Sequence, residues 1–117
     1  GKMRFGYLDL PLLRYAIEAG GFVDGLAVSC MDQLRSKWTC VTEYGDRLLL
    51  KIGATSPSDH ATREQLTQSL TKARPKLNVL EAPTSAKVIQ IIEGELRAEV
   101  RAVSFGPQPR FKEFKRL

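Results

Sequence analysis

LAVSCMDQL, residues 26–34, is the stretch on which the reading of this chain turns. The apolar run Leu26-Ala27-Val28 heads into a sheet and breaks off at Cys30-Met31-Asp32. Parallel sheets hold their ligands outside the carboxyl ends of their strands, so a strand that ends on a carboxylate places that group where a ligand would sit. Two readings of Asp32 stand side by side. It binds something, or it caps a turn, as a short Asp after a strand commonly does.

Upstream, GKMRFGY (1–7) is basic and glycine-punctuated and reads as a loop. Asp9 can cap a helix whose first turn tolerates Pro11. Leu13, Ala16, Ile17 and Gly20 follow at helical spacing, and Gly20-Gly21 ends the helix. Downstream, WTCVTEY (38–44) alternates, with Trp38, Cys40 and Tyr44 on one side. Gly45-Asp46 marks a turn, and residues 47–51 return as the second strand of a hairpin. Residues 53–60 read as a loop. A polar helix over 61–73 carries Leu66, Leu70 and Ala73 on one face and stops at Pro75. NVLEAP (78–83) is extended. Thr84 or Ser85 caps a third helix with Val88, Ile91 and Ile92 inward. EVRAVSF (99–105) alternates as the last strand and ends in Ser104-Phe105-Gly106-Pro107, a second loop at a strand end.

This order is α/β: a small, three-layer-like single domain over 1–117, with a mixed, partly parallel sheet flanked by about three helices. If LAVSC and EVRAVSF lie parallel and close, Asp32 and the 104–107 loop face one crevice.

The length of 117 residues, with 43% hydrophobic and 26% charged, is ordinary for one soluble globular domain. No apolar run approaches a bilayer-spanning length and no signal-peptide pattern is present, so the expected setting is the cytoplasm. The net charge of +5 favours anionic partners, and much of the excess sits in RFKEFKRL (110–117). Phe111 and Phe114 interleave there with basic residues, as in a surface that binds RNA, but Phe at i and i+3 more often packs on its own domain. Cys30 and Cys40 read as small buried hydrophobes, with a disulfide open to them if their strands are neighbours. His60 reads as a solvated or capping residue, and no metal site or catalytic residue is expected.

A carboxylate beside a loop suits a purine bearing N1–H and a 2-amino group, which offers two donors in a fork. Backbone groups of Ser104–Pro107 could then reach O6 or N7. A buried acceptor discriminates because the wrong base leaves it unpaired. Guanine satisfies Asp32; adenine does not present the same pair.

Three stretches together resemble the adenylosuccinate synthetases. Residues 1–34 carry Gly6-Tyr7-Leu8-Asp9, Leu13-Arg14-Tyr15-Ala16 and Cys30-Met31-Asp32, similar to that family's Gly-Trp-Phe/Leu-Asp, Leu-Arg-Tyr-Ala helix and Lys-Leu-Asp strand end. Residues 75–96 resemble the extended piece and helix that follow, and AVSFGP (102–107) resembles the closing Ser-Thr-Gly-Pro loop. The hairpin and the 53–74 region match poorly. The family joins aspartate to IMP at the expense of GTP, with magnesium. The resemblance implies that Cys30, Met31, Asp32, Ser104, Phe105 and Gly106 bind the nucleotide base, and that Lys2 and Arg4 belong to the substrate-anion loop. The family's lysine before the Asp is Cys30 here, and its Thr is Phe105, which either stacks on a purine or turns inward. The phage-type enzymes that act on dGMP depart from the family at such places and form an alternative. The family's phosphate loop, catalytic Asp and His, and magnesium ligand lie upstream of the matched segment. The resemblance therefore implies the C-terminal portion of a synthetase-like ligase, not catalytic alone, whose partners are a purine nucleotide and the N-terminal remainder. GTP and magnesium are implied for the whole enzyme. A free-standing purine-binding module is the reading without chemistry.

Overall fold

The computed structural model describes residues 1–45 and 60–115. The expected second hairpin strand at 47–51 and most of the 53–60 loop lie outside the described residues. The fold is α/β. Its elements are β1 (Leu8–Asp9), α1 (Leu10–Gly20), β2 (Leu26–Val28), β3 (Lys37–Tyr44), α2 (His60–Lys72), β4 (Pro75–Glu81), α3 (Ser85–Leu96), β5 (Val100–Ser104) and β6 (Lys112–Phe114). Short 3-10 turns occupy Met31–Gln33 and Pro109–Phe111. The strands form two three-stranded sheets, in the orders β1-β3-β4 and β2-β5-β6. No helix among the described residues is long and apolar enough to cross a membrane.

Contacts group the chain into two compact units, Gly1–Gly20 with Thr39–Asn78, and Gly21–Trp38 with Val79–Leu117. In the first unit β1 pairs in parallel with β3, Leu8 opposite Cys40 and Asp9 opposite Val41. Asp9 caps α1 as its sequence position predicts: its Oδ1 accepts the Leu12 N–H at 3.0 Å. Pro11 sits in the first turn, where its missing N–H is harmless. Leu10 is fully buried and Cys40 and Val41 nearly so. Of the residues spaced along α1, Ile17 is half-buried whereas Leu13 and Ala16 are exposed, so the covered side runs from Leu10 rather than from Leu13. Gly21, at φ 86, takes the left-handed conformation that closes the helix. α2 buries no residue fully; Leu66, Leu70 and Ala73 are half-buried. β4 begins at Pro75, earlier than expected, and Lys76 pairs with Glu43 at 3.3 Å.

In the second unit Thr84 caps α3, its hydroxyl accepting the Lys87 N–H at 3.2 Å. Val88, Ile92 and Leu96, four residues apart, form one buried helix face, with Ile91 half-buried beside it. Glu93 reaches from α3 to accept the Val100 N–H at 3.0 Å. β2 pairs in parallel with β5, Leu26 opposite Val100 and Val28 opposite Val103. The register shifts after Leu26, so β5 carries one extra residue there. β6, which the sequence reading left in the tail, pairs antiparallel with β5 and sets Lys112 opposite Ser104.

Candidate functional site

The parallel pairing of β2 with β5 brings both strands to the same rim, because Val28 and Val103 are opposite one another and each is followed within a residue by the end of its strand. A hollow of about 440 Å³ opens there, within the ~300–1,000 Å³ range of small-ligand sites. One side comes from the end of β2: Ser29, Cys30, Asp32 and Gln33. The other comes from the end of β5 and from β6: Ser104, Gly106, Pro107 and Lys112.

The β2 side is shaped by Cys30. Its backbone is left-handed, with φ 62 and ψ 28, an unusual conformation for a residue with a side chain. It swings the chain into a tight turn closed by the Gln33 N–H donating to the Cys30 carbonyl at 3.0 Å. That turn sends Met31 inward, 6% exposed, and leaves Asp32 exposed on the hollow. The Asp32 carboxylate makes no hydrogen bond or ion pair among the described residues, so the turn is not capped by it. Both cysteines are free: Cys40 is buried as expected, whereas Cys30 is exposed, because its left-handed turn carries it out of the strand.

The β5 side is tied together by Lys112. Its ammonium donates to Ser104 Oγ at 2.8 Å and to the Gly106 carbonyl at 2.5 Å, and the Ser104 hydroxyl donates to the same carbonyl at 2.9 Å. Phe111 closes the loop from behind. Its carbonyl accepts the Phe105 N–H at 2.9 Å, and its ring lies so close to Gly106 that a Cβ there would stand 2.8 Å from it. Gly106 is required for that close approach.

Of the residues expected to bind a base, Cys30, Asp32, Ser104 and Gly106 line the hollow together. Met31 is buried and Phe105 is half-buried, and neither is part of the lining. The Phe105 N–H, expected among the ligand-facing backbone groups, is spent on Phe111. Lys2 and Arg4 lie in the exposed, irregular segment before β1, in the first unit. The hollow in that unit, about 460 Å³, is lined by residues 6–9, 12 and 13 and includes neither of them. Its one carboxylate, Asp9, is engaged by the Leu12 N–H and the Tyr44 hydroxyl. Sequence reasoning missed Lys112. Its only signal was a lysine within reach of a strand-end serine, which becomes visible once β6 is known to pair with β5.

Compared with protein-family models and with curated proteins, the chain gives no match.

Proposed function

We propose that this chain binds a purine nucleotide through its base, with guanine preferred, and serves as the base-binding, non-catalytic part of a ligase of the adenylosuccinate synthetase kind. One observation carries the base reading: an unpartnered carboxylate, Asp32, and the Ser104–Gly106 loop line one hollow at the carboxyl ends of two parallel strands. A carboxylate accepts both donors of the guanine N1–H and 2-amino fork, whereas adenine turns an acceptor, N1, toward it. The ligase reading rests on the resemblance of residues alone, and the phosphate-handling and catalytic parts would come from an N-terminal remainder. Magnesium is implied for the whole enzyme by that resemblance and is given no ligand here. A nucleotide ligand accords with a cytoplasmic setting.

The tail supports this reading over an RNA platform. Lys115 is engaged by Glu99 at 2.5 Å, and Arg110 stands over the Phe111 ring at 5.0 Å. Those charges are tied to the chain itself rather than spread along a groove for phosphates.

Calorimetry of the full chain with GTP, ATP and dGMP, repeated with Asp32→Asn, tests the proposal. Guanine nucleotides are expected to bind weakly but at least about tenfold more tightly than ATP, the worth of one charge-assisted hydrogen bond. Asp32→Asn is expected to erase the difference. Equal affinity for GTP and ATP, or a preference untouched by Asp32→Asn, would remove the base reading.

A further inference from the structure

Lys112 meets the loop with only part of its donor capacity. An ammonium carries three N–H donors, and two are spent on Ser104 Oγ and the Gly106 carbonyl. The third has no acceptor among the described residues, and no carboxylate there pairs with the charge. Lys112 lines the hollow together with Asp32, so one side offers acceptors and the other a positively charged donor. Of the loop's backbone groups, the Phe105 N–H is committed to Phe111 and Pro107 has none.

Guanine has the complementary pattern, donors at N1 and N2 and acceptors at O6 and N7. Resting on the base reading above, we infer that Lys112 is a specificity-determining residue of the hollow, donating its remaining N–H to the O6/N7 edge of the purine while Asp32 accepts from the N1/N2 edge. The contacts to Ser104 and Gly106 hold the ammonium in place before the ligand arrives, so little side-chain freedom is lost on binding. Lys112 also places a positive charge beside the purine's acceptors, on the side of the hollow opposite Cys30.

The test varies ligand and protein together. GMP, 7-deaza-GMP, which lacks the N7 acceptor, and 6-thio-GMP, which weakens the O6 acceptor, are titrated into wild type, Lys112→Met and Lys112→Arg. Wild type is expected to bind at least one analogue about tenfold less tightly than GMP. Lys112→Met should weaken GMP by a similar factor while weakening that analogue much less, and Lys112→Arg should keep part of the discrimination. If wild type binds all three ligands equally, the inference falls without any variant having to fold. If Lys112→Met weakens all three by one common factor, the lysine only braces the loop and the inference falls. IMP, which lacks the 2-amino group, and AMP report on Asp32 separately. A wild type that prefers GMP to both, with no dependence on Lys112, retains the base reading and loses this inference alone. No preference for GMP over either overturns both.

Discussion

The Tyr44 hydroxyl at the end of β3 donates to Oδ2 of Asp9, the carboxylate whose other oxygen caps α1 through the Leu12 N–H. One side chain thus closes a helix start and fastens a residue 35 positions away in sequence. Burial, then the hydrogen bond to Asp9, then the negative charge of Asp9, push the Tyr44 pKa from 10.0 up to about 12.

That shift has a signed consequence. The folded state keeps the phenol proton over a range where the unfolded chain has lost it, so the contribution of Tyr44 is full below pH 10 and is lost as pH rises toward about 12. Urea unfolding measured across pH 9 to 12 should show a steeper fall in stability for wild type than for Tyr44→Phe. Parallel curves would mean that the pair does not survive in solution.

Glu99 gives the opposite limb. The hydrogen bond and charge of Lys115, with help from Arg101, hold its carboxyl below the usual 4.5. A depressed carboxylate contributes stability that is present above the unfolded value and lost as pH falls through the folded one. The groups are exposed, so the effect is small and screened by salt. Glu99→Gln should flatten the decline in stability below pH 4.5 at low salt, and the two proteins should converge at 1 M salt.

Gly106→Ala forces a Cβ against the Phe111 ring, at 2.8 Å from the nearest ring carbon. A destabilisation of about 1–3 kcal/mol is expected, as for other overpacked sites. Phe111→Ala in the same chain should recover part of that loss, and a double-mutant cycle in urea would measure the coupling. Additive effects would show that the ring does not press on residue 106.

The ends of α3 supply a matched pair of changes. Thr84→Ala removes the hydroxyl that accepts the Lys87 N–H and should cost about 1 kcal/mol. Arg97 follows the helix at φ 52 and ψ 39, a left-handed conformation that glycine adopts without penalty. Arg97→Gly should therefore raise stability by about 0.5–1 kcal/mol in chemical denaturation.

Several elements could be read from the chain because their signals are local. Asp9 before Pro11 and Thr84 before an i, i+4 apolar series each mark a helix start through groups a few residues apart, and both caps form. The two strand ends, at Cys30-Met31-Asp32 and Ser104-Phe105-Gly106, were legible as places where apolar runs stop. Their residues divide differently once folded. Met31 goes into the core and Asp32 to the hollow because Cys30 adopts φ 62, a conformation that a cysteine does not announce as a glycine would.

The sequence by itself determined where helices begin, where apolar runs end, and that a carboxylate and a serine-glycine loop stand at two such ends. Only the tertiary structure decided that these ends meet, since the parallel pairing of β2 with β5 joins segments more than seventy residues apart in sequence and depends on a register that a one-residue bulge sets. It also decided that Lys112 lines the same hollow as Asp32 rather than standing in a basic tail, because β6 takes up the edge of β5 and lays that lysine across from Ser104. Caps and breaks are fixed by neighbours along the chain, whereas strand partnership is fixed by which surfaces can be buried together.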